Sequence, residues 1–497
     1  MMSLQARIRR QISGLFTNRG IKFFHDLVHL VIGQMAGKIA GIACFAYLAR
    51  TVDPAAYGTL EYVIGLAALA AVLVDFGFGP IGVREAGAGP ESRRAVAEHI
   101  PAIRVLIALL AAPLLILVVL ATTDAPLSLE LALLFAASLL LHPFKQEWLL
   151  QSMELMNRIA LAQALRMILF AILVFLFVKE TSQILRVGLI EIGTLGLWFG
   201  YYLLVQHRAG LPIRLSFPRA ELTRLTRAAA PLGAGAMVWA FNQYIPLILV
   251  TVMMGTEETA WFAAAHRLLV SLLAISYLYH FNLYPALTRR MAQSVEAFAR
   301  LSHASFRIVA WGLIGPCALL GLVASDVMRL VYGAPFAVSG PVLAAAIWCL
   351  PVTLFSGHSR WALITAHRQG EVLRAQTAGA VVTLLLAPPF IWAFGAVGAA
   401  LTMTAGCLAI WALAHRYASR SVVAMPVLET LWRPALATAL AIGLFWLARP
   451  FGPWTAVGLS GLLYGAAGIM LDRRLLPDLR HLAYAKIDSQ RAADVHT

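Results

Sequence analysis

The sequence predicts an all-α integral membrane protein of about fourteen transmembrane helices, and three observations carry that reading. Hydrophobic residues make up 60% of the 497 and charged residues only 13%, about half the charged share of a soluble domain. Apolar runs of roughly twenty residues, the length that crosses about 30 Å of hydrocarbon, recur along nearly the whole chain. Lys and Arg gather in alternate connections between those runs, as topology in a bilayer requires.

The runs fall near 26–49, 60–80, 102–121, 127–146, 159–178, 184–205, 228–253, 260–285, 303–324, 340–357, 371–391, 395–414, 430–448 and 454–471. The start is basic, but the apolar run behind it is long, carries Lys38 and lacks a clear small-residue cleavage site, so it reads as a retained helix and not a signal peptide. With the N-terminus inside, 32 of the 39 Lys and Arg lie in inner segments, and five (Arg50, Lys179, Arg186, Arg329 and Arg449) lie in outer ones. Positive segments stay cytoplasmic, which puts both termini in the cytoplasm. The remaining two, Lys38 and Arg267, lie within spans.

An even span count with both ends inside suits two parallel six-helix halves. Ala56-Tyr57-Gly58-Thr59 at the start of the second run and Ala260-Trp261-Phe262-Ala263 at the start of the eighth are a weak internal echo. The expected organisation is a basic cytoplasmic N-terminus (1–25), an N-lobe (26–205), a cytoplasmic linker (206–227), a C-lobe (228–414), two further helices (430–471) and a cytoplasmic tail (472–497).

A net charge of +15 could point to nucleic acid, but the basic residues are scattered through short connections and form no continuous footprint. Cys44, Cys317, Cys349 and Cys407 sit in apolar runs with no Cys-x-x-Cys spacing, which argues for small core residues over disulfides or zinc. No phosphate loop, metal-binding spacing or nucleophile triad stands in the sequence, so neither an enzyme nor a cofactor is expected.

Charges in hydrocarbon are costly and therefore mark candidate sites. Lys38 lies deepest, on a helix whose Gly33, Gly37 and Gly41 form a close-packing stripe, with Gln34 beside it. It either faces the bundle interior, where it could meet an anion, or is neutralised or snorkels along its stem. Arg267, some seven residues into the eighth run, offers a fork of donors suited to phosphate oxygens, with snorkelling as the alternative. Arg166 is either a further cavity cation or an anchor at the inner surface. Glu191 with Arg186 reads as an ion pair or a proton-responsive carboxylate. Asn242 and Gln243 precede Pro246, where the lost backbone bond predicts a bend that is either a hinge or an ordinary kink.

Several segments resemble the polysaccharide flippases of the multidrug/oligosaccharidyl-lipid/polysaccharide exporter superfamily. They are Leu48 to Gly58, Asp75 to Glu85, and the inner connection Glu147 to Ala160 with its Trp148, Gln151, Glu154 and Arg158. Gly255 to Arg267, Val331 to Phe336 and Gly395 to Leu401 follow in the family's order.

The resemblance implies two six-helix lobes around a central cavity, two C-terminal helices and alternating access. It implies a cationic lumen, including cations in spans 1 and 8, without identifying contacts. The residues themselves give Lys38, Arg267, Arg166, Gln34, Asn242 and Gln243 as substrate-binding candidates and Pro246, Glu191, Arg186 and Asp75 as coupling or gating candidates. The implied cargo is a lipid-linked oligosaccharide on a polyprenyl diphosphate, carried across the bacterial inner membrane for surface polysaccharide. Glycosyltransferases, a polymerase and a chain-length regulator are the implied partners, besides membrane lipid.

Three other readings stand beside it. A peptidoglycan-precursor flippase would share the cargo's charge, and a drug/cation antiporter would favour acidic cavity residues. A membrane polysaccharide polymerase or ligase would need a large outer loop with polar groups, whereas the outer connections here are short.

Overall fold

The computed structural model describes residues 37–479, and within that range every regular element is helical. The described part of the first helix, α1, covers 37–51. Then follow α2 (Pro54–Asp75), α3 (Phe78–Ala86), α4 (Pro90–Thr122), α5 (Ser128–Leu139), α6 (Glu147–Ser152), α7 (Met156–Phe177) and α8 (Leu185–Arg208). The second half comprises α9 (Arg219–Met254), α10 (Thr256–Gln293), α11 (Val295–Leu322), α12 (Ala324–Tyr332), α13 (Gly340–Ala346), α14 (Cys349–Thr365) and α15 (Gln369–Ser421). Two further long helices, α16 (Val427–Ala448) and α17 (Pro453–Leu471), follow.

Among the described residues, twelve stretches are long and apolar enough to cross a membrane. They account for every predicted run after the first, because two runs, 371–391 and 395–414, share α15. That helix is a hairpin. Gly395 breaks it with φ 56° and ψ −136°, and Gly379 packs against Ile410 across the two arms. The predicted run at 127–146 is interrupted as well, ending in a tight turn at His142–Phe144 before α6.

Local chemistry sets the starts. Asp53 caps α2 by accepting a hydrogen bond from the Ala56 amide at 2.9 Å, with Pro54 at the first helical position. Ser294 does the same for α11. Gly255, at φ 90°, supplies the turn from α9 into α10. The second arm of α15 borrows its cap from elsewhere: Glu258 of α10 accepts from the Ala396 amide at 2.8 Å.

In the N-terminal half α2 packs on α4 and α5, and α8 on α5 and α7. In the C-terminal half α15 packs on α9 and α14, and α10 on α11 and α14. The halves meet where α2 lies against α9 and α10. Close approach there depends on small residues, since a side chain at Gly58 would collide with the Thr256 carbonyl, and one at Gly65 would come within 2.5 Å of Leu247. Gly37 and Gly41 of the predicted stripe face Ala164 and Met167 of α7, while Gly33 lies outside the described residues. Helices α16 and α17 pair with each other and rest on α11.

The perimeter is apolar. Leu110, Leu385, Leu447, Leu462 and Met470 are largely exposed, which only a lipid solvent tolerates. Trp392 and Phe394 at the α15 apex and Trp446, Phe451 and Trp454 around the α16–α17 turn are also exposed. All five lie at the predicted outer end, where amphipathic rings favour the membrane interface. The chain is thus a multi-pass membrane protein.

Candidate functional site: a charged cavity between the two halves

Both halves line a central cavity of about 1260 Å³. From the N-terminal half come residues of α1, α2, α5, α7 and α8; from the C-terminal half, residues of α9, α10, α14 and both arms of α15. Its wall is largely apolar, so the few charges set into it act in a medium that screens them weakly.

Four of those charges are cationic, Lys38, Arg166, Arg267 and Arg360, and two are carboxylates, Glu61 and Glu191. Arg267 forms a forked pair with Glu61, with Nε 2.5 Å and a terminal nitrogen 2.8 Å from the two carboxylate oxygens. Glu61 belongs to α2 and Arg267 to α10, so this pair ties the two halves together. The Arg267 guanidinium also lies 3.2 Å from the ring centre of Phe45 on α1, an arrangement that stabilises the cation further.

Arg166 of α7 reaches both oxygens of Glu191 on α8, at 3.0 and 3.2 Å, and lies 5.1 Å from the ring centre of Trp198. Lys38 and Arg360 have no ion-pair partner among the described residues. With two of the four cations matched by carboxylates, the cavity keeps an excess of two positive charges, and these two residues hold it.

The candidate residues separate accordingly. Lys38, Arg166, Arg267, Asn242 and Gln243 all line the cavity, as does Glu191. Asn242 donates to the Val238 carbonyl at 3.1 Å and accepts from Thr383. Gln34 lies outside the described residues. The expected pairing of Glu191 with Arg186 is corrected: Glu191 turns to Arg166, while exposed Arg186 donates to the Phe177 carbonyl at 2.7 Å. Nine residues of sequence separate Arg186 from that carbonyl, which closes the turn between α7 and α8.

Asp75 also stands away from the cavity, at the last turn of α2, where it pairs with Arg104 of α4. Arg104, 1% exposed, donates as well to the Lys145 carbonyl at 3.0 Å. Pro246 is buried in α9, which is helical from Arg219 to Met254. His142, Lys145 and Glu147 lie at the end of the fourth predicted run, with Lys145 paired to Glu147 and Gln163 donating to Glu147 at 2.7 Å.

Two charged residues of the cavity, Glu61 and Arg360, are not among the sequence candidates. Glu61 sits at the edge of its apolar run, where a carboxylate reads as interfacial. Arg360 lies three residues beyond the predicted end of its run and was assigned to a cytoplasmic connection, yet α14 continues to Thr365 and carries it into the cavity.

A family sequence model described as "Polysaccharide biosynthesis protein" matches residues 24–291. A Shigella dysenteriae protein named "Putative O-antigen transporter" is 23% identical over 266 residues, which are 52% of this chain and 64% of that relative. The match therefore spans just under two thirds of the relative's length. Among solved structures, the lipid II flippase MurJ in an inward closed conformation superposes with a TM-score of 0.76 at 14% identity, covering 90% of this chain and all of that one. An inward-facing multidrug resistance MATE family transporter of the MOP superfamily gives 0.63 at 18% identity, over 80% of this chain and 98% of its own. At such identities the likeness is one of fold: two helical halves around a central cavity.

Proposed function

Because this chain belongs to the polysaccharide biosynthesis protein family, we propose that it is a flippase for a polyprenyl-diphosphate-linked oligosaccharide. It moves that cargo from the cytoplasmic to the outer face of the bacterial inner membrane, by alternating access, for cell-surface polysaccharide biosynthesis. The observation that carries this reading is the unmatched charge of Lys38 and Arg360 in the cavity between the halves. Two excess cations in a weakly screening cavity offset a diphosphate and repel a cationic drug.

The two halves act as the N-lobe and C-lobe, 26–205 and 228–414, with both termini in the cytoplasm. Glu61–Arg267 holds the lobes together on the predicted outer side of the cavity. Arg50, donating to the Val331 carbonyl at 3.1 Å, adds a second tie near the same end. In this reading the headgroup enters from the cytoplasm, the ties release as the lobes rock, and the glycan leaves outside while the lipid tail stays in the bilayer. Arg166 and Glu191 together form a charge-neutral wall, and Glu191 is the coupling residue. Asn242 and Gln243 offer amide groups to the sugar or headgroup. Asp75, Arg186 and Pro246 take structural parts.

Deletion of the gene tests the cargo. The expected result is accumulation of polyprenyl-linked oligosaccharide on the inner face with loss of surface glycan. Unchanged lipid-linked and surface pools would sink the proposal, and arrest of wall synthesis instead would assign the peptidoglycan precursor as cargo.

A further inference from the structure

A second polar station lies in the cavity wall, well apart from Glu61–Arg267. On α10, His280 follows Arg267 by thirteen residues, about 20 Å along the helix axis at 1.5 Å per residue. His280 is 2% exposed, lines the cavity, and packs against Gly357 of α14 so closely that a side chain at Gly357 would strike its ring. Arg360 lies one helical turn after Gly357, on the same face, and also lines the cavity.

The hydrogen bonds assign the protons. His280 Nδ1 lies 2.9 Å from the Ser276 carbonyl, and His358 Nδ1 lies 2.9 Å from the Leu354 carbonyl. A carbonyl only accepts, so each Nδ1 carries hydrogen and each neutral ring has its lone pair on Nε2. For His358 that lone pair is used: Ser305 donates to it at 2.8 Å and accepts in turn from Tyr279 at 2.6 Å. For His280 it is not. His280 Nε2 is buried with no partner, and the Nε of Arg360 is likewise buried and unpaired.

A buried acceptor and a buried cationic donor, both unsatisfied at one stretch of cavity wall, call for a ligand with an anionic oxygen and for one proton, taken up from solvent, between that oxygen and the acceptor. We propose that Arg360 and His280 form a proton-linked anion subsite for a phosphate or diphosphate group. Arg360 pairs with the phosphate oxygens, and the bond between a phosphate oxygen and His280 Nε2 holds one added proton. Binding and proton uptake thus reinforce each other.

Tyr279 on its own helix and His358 and Arg360 on α14 stand around His280, and the titratable groups of the cavity wall on α14 and α15 include Cys349 and Cys407. The cavity's two carboxylates, Glu61 and Glu191, lie on α2 and α8. No carboxylate of the described cavity wall therefore competes for the proton on α10, α14 or α15.

This subsite deepens the flippase reading and rests on it for the cargo, but its test needs no transport. The purified full chain in detergent is titrated with inorganic pyrophosphate and with farnesyl diphosphate by calorimetry in two buffers of different ionisation enthalpy. Wild type should bind with proton uptake. Arg360→Ala should weaken binding at least about tenfold, the loss of one charge-assisted hydrogen bond, and Arg360→Lys should recover part of it. His280→Gln should keep binding within a few-fold while abolishing proton uptake, with thermal unfolding verifying that each variant is folded.

Equal binding of both probes identifies the anion itself as the ligand, and binding of farnesyl diphosphate alone identifies a lipid headgroup; either supports the subsite. Proton uptake unchanged in folded His280→Gln, or binding unchanged in Arg360→Ala, overturns it while leaving the flippase reading intact. Unchanged glycan pools after gene deletion would sink only the latter.

Discussion

Lys38 and Arg267 carry the same charge into the same cavity, but Arg267 is already answered by Glu61 whereas Lys38 has no ion pair among the described residues. Their substitutions should therefore differ. Lys38→Ala, inserted at normal levels, should cut cargo transport into inverted vesicles at least about tenfold, and Lys38→Arg should retain most of it; full transport by Lys38→Ala would refute a cationic lumen. Arg267→Ala strands a carboxylate that is 5% exposed and should destabilise the protein by about 3 kcal/mol. Removing Glu61 as well should give some of that back, so a thermal-unfolding cycle in detergent should show coupling between the two, and additive losses would argue against it. Part of this site was legible, since a lone cation in an apolar run is conspicuous. Glu61 and Arg360 were not, because hydropathy ends a span where charge begins, whereas the α14 backbone stays helical for eight residues past that point.

At the scale of elements, hydrophobic run length located the spanning helices and the break at Gly395, which falls between runs 371–391 and 395–414 and folds α15 into a hairpin, but it missed the turn at His142–Phe144. The residue that caps the second arm of α15, Glu258, lies 138 positions away. Gly395→Ala should cost about 1–2 kcal/mol, because its φ of 56° suits glycine and an added Cβ would stand 2.8 Å from Glu258. A drop in detergent melting temperature checks this, and an unchanged melting temperature would mean that the apex relaxes freely. Pro246 stands where the sequence suggests a bend, and α9 is helical on both sides of it, from Arg219 to Met254, because neighbouring helices, side chains and local adjustment can satisfy the backbone group that proline frees.

For the whole molecule, the contacts of α2 with α9 and α10 join the halves, and the Glu61–Arg267 pair and the Arg50 contact cluster toward one end of that seam. Alternating access requires these ties to part. A reversible thiol cross-linker joining Arg50→Cys to Val331→Cys, with Cys44, Cys317, Cys349 and Cys407 replaced by Ala, should halt transport until reductant is added. Undiminished transport with the link in place would exclude rocking of the halves.

The membrane-spanning class, the approximate position of the twelve described spanning stretches and the presence of cations among apolar residues were all readable from the chain alone, because bilayer solvation acts on each segment independently of the rest. Tertiary structure decided which charges cancel. Glu61 finds Arg267 across 206 residues, and Arg166 takes the carboxylate that sequence proximity had assigned to Arg186. Pairing depends on which helices lie side by side, and nothing in a linear pattern encodes that neighbourhood. The free charge that defines the site, on Lys38 and Arg360, appears only after those pairs have been made.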